Sequence, residues 1–198
     1  MSAISKNSRN AFMIFILLEF EIILMAIMVF GFSLEALQTA TRFSGRLSFV
    51  FFSLIILLNH RDSDWSRVIS EIPYLLFATL HGIHLVELLL YVFNSNNTFV
   101  PVRLLGGFVA YLLIFLMPVF YFLKQRNRLS FKTFKRLEIF FGVYVWFIFF
   151  MTYLPRVLGK LPHVGGCQWE HVTFLILALI VGGAGIFLYR KYNPAHNR

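Results

Sequence analysis

Ile69-Ser-Glu-Ile-Pro-Tyr-Leu-Leu-Phe-Ala-Thr-Leu-His81-Gly-Ile-His84-Leu-Val-Glu87-Leu-Leu-Leu-Tyr-Val-Phe93 decides the fold. A membrane-spanning helix needs about 20 mostly apolar residues, with a range of about 17–25. This stretch meets that length while carrying three ionisable groups: His81, His84 and Glu87. Such groups are costly at membrane depth, so they are functional candidates by default. Steps of three residues keep His84 and Glu87 on one side of a helix, with His81 at its edge.

Five further runs resemble it. Together the expected spans are roughly 11–32, 43–60, 69–93, 104–123, 137–155 and 172–189. The runs are continuous rather than alternating, which excludes barrel strands. Residues 1–198 therefore read as a single domain, an all-α integral membrane protein built as a bundle of six transmembrane helices. The composition agrees: 59% of residues are hydrophobic and only 14% charged, more apolar surface than a soluble domain of this length could bury. The first run is longer than the apolar core of a signal peptide and holds Glu19 and Glu21, so it is read as a retained helix. These two glutamates stand two apart, so at most one faces a given site.

Charge sets the expected orientation. Of the 18 Lys and Arg residues, only Arg42, Arg46, Arg103, Arg156 and Lys160 fall at the loops after the first, third and fifth spans. The remainder crowd the termini and the other loops. The positive-inside rule then places both termini in the cytoplasm. The net charge of +9 needs only anionic headgroups as partners, so a lipid bilayer and no nucleic acid is expected. Cys167 is the single cysteine, which excludes an internal disulfide and a thiolate-held iron–sulfur cluster. The glycines at 106–107 and 182–185 follow no strand, and close helix packing explains them better than a phosphate cradle.

Two chemistries suit the polar residues. His81, His84 and Glu87 could bind a non-haem metal, although one straight helix does not surround an ion and other helices would have to contribute. His163 and His171 flank the last outer loop and are candidates for that role. A haem b between facing helices suits the pattern better, with histidine as the proximal ligand.

Thr41-Arg-Phe-Ser-Gly-Arg46-Leu-Ser-Phe and Leu76-Phe-Ala-Thr-Leu-His81 resemble segments of the ferric-reductase-like transmembrane domain family. The similarity is greatest to its haem-binding membrane subunits of the MsrQ/YedZ type. That resemblance implies six helices and a haem-ligating histidine at His81, with His84 the other candidate. The family has further histidines on its fifth helix; here Glu138 and Met151 stand at those places. Met151, His163 or His171 would then complete the iron. The resemblance implies an oxidoreductase of the bacterial inner membrane, or its electron-transfer subunit. Electrons would pass from a quinol or flavoprotein to an outer-side redox partner. Two alternatives stay open. One is a haem-free membrane enzyme using His81, His84 and Glu87 for metal binding or acid/base chemistry on a lipophilic substrate. The other is an accessory subunit that binds a partner or passes protons.

Overall fold

The computed structural model describes residues 6–58, 72–95, 101–161 and 165–192. Their regular structure is helical throughout: α1 (Lys6–Phe30), α2 (Leu34–Leu58), α3 (Pro73–Asn94), α4 (Pro101–Gln125), α5 (Phe131–Val157) and α6 (Gln168–Tyr192). All six are long and apolar enough to cross a membrane.

The ends follow local chemistry. Gly31 adopts φ +65° and its N–H bonds the Ile27 carbonyl, closing α1 with a left-handed residue that glycine takes at least cost. Two residues later Ser33 Oγ accepts from Ala36 N–H at 3.1 Å and opens α2. A connection this short makes α1 and α2 antiparallel neighbours. Pro73 starts α3, where its missing N–H costs nothing. Ser130 caps α5 by accepting from Thr133 N–H. Glu170 reaches back from the third position of α6 to the Cys167 N–H at 3.0 Å, half of a capping box.

α2 starts nine residues before the expected span at 43–60. Glu35, Gln38, Thr41 and Arg42 are too polar for lipid, but α2 is wrapped by protein. Half of its most apolar window is buried inside the bundle, against 33% or less for every other helix. Ala26 of α1 meets Ala36 and Ala40 of α2, small residues that let the backbones approach. Phe49 stacks on Phe149 of α5 at 4.4 Å, and Phe52 meets Phe77 of α3 at 5.5 Å. On the side of α6, Trp146 of α5 packs over Gly182 and donates its indole N–H to the Ala178 carbonyl at 2.7 Å. The packing reading of the 182–185 glycines thus holds at Gly182 and also at Gly185, which faces Ile56. The outward faces of α1 and α6 carry exposed Leu, Ile, Met and Phe, suited to lipid tails.

Candidate functional site

α2 and α3 run antiparallel in a regular register. Gln38 pairs with Tyr91 at 3.0 Å, Ser44 with His84 at 3.1 Å, Ser48 with His81 at 2.8 Å, and Phe52 with Phe77. Ser44 and Ser48 are four apart and share a face. They meet the histidine–glutamate ladder of α3 rung by rung. Ser44 also donates to Glu87 Oε2. A serine hydroxyl has one proton and two lone pairs. The Thr41 carbonyl, at 3.2 Å, competes with Glu87 for that proton, and with the proton directed to Glu87 the same oxygen accepts from the Nδ1–H tautomer of His84. The result is an imidazole–hydroxyl–carboxyl chain. Gly45 makes it possible: a Cβ there would lie 2.8 Å from His84 Cε1.

α1 adds a second carboxyl. Glu19 is 1% exposed, lies within electrostatic reach of Glu87, and has no hydrogen-bond partner on either oxygen. Glu87 Oε1 is also unpaired and buried. Glu21 faces outward. Only one of the two α1 glutamates therefore belongs to the site, as their spacing requires.

His81 is buried beneath this chain. Its ring centroid lies 5.4 Å from Phe77, 4.9 Å from Tyr111, 5.8 Å from Phe149 and 5.3 Å from His84. Toward the α3 N-terminus, Phe77, Phe52 and Phe141 close the core. Below them Tyr74 donates to Glu138 at 2.5 Å, and Lys135 holds the same carboxylate at 2.6 Å. Glu138 is thus an ion-pair and hydrogen-bond partner near the end of the bundle.

The expected ligand residues separate into different places. Met151 is 44% exposed. It stands two residues beyond Phe149, whose ring faces His81, so it lies on another side of α5. His171 is buried with Arg46, Arg156 and Glu170, where α6 begins. His163 lies outside the described residues. Among the described residues no three His, Cys, Asp or Glu side chains form a metal-holding group. The physical reason is the helix itself: His81 to Glu87 covers six residues, or roughly 9 Å of axis. Their partners are serines rather than further ligands.

A haem fits these residues poorly. His81 Nδ1 is engaged by Ser48, the kind of outer contact that orients a ligand. Yet Phe77, Tyr111, Phe149 and His84 surround the ring, and neither Met151 nor His171 is placed opposite it.

Ser44 and Ser48 are the site residues that sequence reasoning passed over; Glu19 was named there, but not as a neighbour of Glu87. The two serines carry a readable signal in their four-residue spacing, and Glu19 in its place within an apolar run. No family model, no curated protein and no solved structure matches this chain.

Proposed function

We propose that this chain is a haem-free membrane protein whose central cluster performs acid/base work within the bilayer on a lipophilic substrate. The Glu19–Glu87 pair takes up and releases a proton, and Ser44 connects Glu87 to His84. His81, held by Ser48, forms the next polar position along α3. One observation carries the reading: a single buried hydroxyl joins an imidazole to a carboxyl, beside a second buried carboxyl with both oxygens unpaired. Two carboxylates in electrostatic reach repel when both are ionised, and a proton taken up by either removes that repulsion. Buried ionisable groups in membrane proteins mark proton and substrate pathways.

In this reading both termini are cytoplasmic, supported by the asymmetry of Lys and Arg among the loops. A bacterial inner membrane is supported by the resemblance of residues 41–49 and 76–81.

The test is infrared difference spectroscopy of the protein in lipid, between acidic and alkaline buffer. A protonated carboxyl band is expected to change with pH in the wild type and to lose intensity in Glu19→Gln and in Glu87→Gln. Identical difference spectra in all three proteins would overturn the proposal. So would a stoichiometric b-type haem signal in the reduced-minus-oxidised optical spectrum of protein from haem-replete cells. That outcome would restore electron transfer through His81 or His84.

A further inference from the structure

The face of α2 opposite the serines carries Arg42 and Arg46, again four residues apart. Arg46 is 5% exposed; its Nη2 pairs with Glu170 Oε2 at 2.8 Å, while its Nε is buried with no partner. Arg42 Nε is buried and unpartnered too. Arg156 and His171 adjoin the same cluster, and His171 Nδ1 is a further buried atom without a partner. Among the described residues, Glu170 is the carboxylate shown against these arginines. Arg42 and Arg46 thus share one carboxylate.

Beside this cluster lies a groove of about 320 Å3, open laterally between α1, α2 and α6. Ligand sites span about 300–1,000 Å3. Its walls are apolar, with Ile22, Phe43, Leu47, Val50 and Phe174 among them, and Arg46 and Glu170 are its charged residues. Trp169 stands at its edge, 67% exposed, and tryptophan favours the level of lipid headgroups. Cation and apolar wall are therefore arranged as in an anionic amphiphile, with the charges reversed in sign.

We propose that this groove binds one anionic phospholipid, its phosphate held at the groove's rim by Arg46 from the wall and by Arg42, which adjoins it across the Phe43 ring, and an acyl chain lying along Phe43, Leu47 and Val50. Charge complementarity and the buried, unpaired guanidinium nitrogens select the anionic headgroup. The lateral opening admits the chain directly from the bilayer. The site is independent of the acid/base cluster, which uses the other face of α2.

The test reads tryptophan quenching by brominated lipid in phosphatidylcholine vesicles, with Trp169→Phe defining the local signal. Brominated phosphatidylglycerol is expected to quench Trp169 at far lower mole fraction than brominated phosphatidylcholine. Arg42→Gln should weaken that preference about tenfold, the scale of a lost charge-assisted hydrogen bond. Val50→Phe, which fills the groove, keeps both arginines and adds no tryptophan, should remove the preference. Equal quenching by the two lipids in the wild type would overturn the proposal, as would an unchanged preference in both variants. Displacement of the brominated phosphatidylglycerol by millimolar inorganic phosphate would also overturn it, because the site would then recognise free phosphate rather than lipid.

Discussion

Replacing Gly45 by alanine probes the contact on which the central cluster depends. The added Cβ would lie 2.8 Å from His84 Cε1 and 3.2 Å from each ring nitrogen. Carbon atoms settle at about 3.5–4.0 Å, so the ring must recede by roughly 0.7–1 Å. The Ser44–His84 bond is already 3.1 Å long. Moving the ring by that amount takes it out of the normal range of about 2.7–3.2 Å. Overpacking of this kind costs about 1–3 kcal/mol, and the lost bond about 0.5–1.5 kcal/mol. Alanine returns about 1 kcal/mol of helix propensity. The net expectation is a loss of about 0.5–3.5 kcal/mol. At 2–4 °C per kcal/mol for a chain of this size, the thermal midpoint falls by roughly 1–14 °C. The assay is thermal unfolding in detergent micelles, paired with the infrared carboxyl spectrum. If Gly45→Ala unfolds at a higher temperature with an unchanged carboxyl band, helix propensity alone has acted. The close α2–α3 approach would then be refuted.

Ser44→Ala removes the hydroxyl from Glu87 Oε2 and leaves His84 to the Thr41 backbone; it should cost about 1–3 kcal/mol in the same unfolding assay while altering the carboxyl band. Gly182→Val drives a side chain into the Trp146 indole, 2.7 Å from the alanine-equivalent Cβ; a loss of about 1–3 kcal/mol and a shifted tryptophan emission are expected. Glu170→Gln removes the charge opposite Arg46 and weakens the cap of α6. Destabilisation by about 3 kcal/mol is expected, read as loss of monodisperse protein on gel filtration in detergent. Met151→Leu, on an exposed face of α5, should leave stability within about 0.5 kcal/mol and leave the optical spectrum unchanged.

The number and type of helices were legible because bilayer thickness imposes one length on every span. The start of α2 was not legible in the same way. Hydropathy measures preference for lipid; Gln38 and Arg42 meet protein instead, and Glu35 is exposed at the first turn of the helix. The α3 ladder of His81, His84 and Glu87 was visible from spacing alone. What it faces depends on the register between two helices, which no periodicity within one helix encodes. That is why Ser44 and Ser48 were overlooked as partners. Met151 was chosen by position along α5, but an aligned position says nothing of the helix face, and two residues separate it from the ring that meets His81. His171 is buried as a functional residue would be, but with arginines on another side of α2. Glu19 was noticed as an interior carboxyl; its approach to Glu87 required the three-dimensional packing of α1 on α3.

The central position of α2 has a consequence for biogenesis. This helix emerges second during synthesis, joined to α1 by a three-residue turn. Its arginine face finds Glu170 only when α6 has been made. Until then the nascent protein holds Arg42 and Arg46 against lipid, water or the insertion machinery without the carboxylate that faces them in the closed bundle. Completion of the chain is thus also completion of the polar interior. A truncation ending before residue 168 is expected to be inserted poorly and degraded, however apolar its remaining helices are. Quality control in the membrane could then sense one ion pair, that between the second helix and the last, as the sign that the bundle has closed.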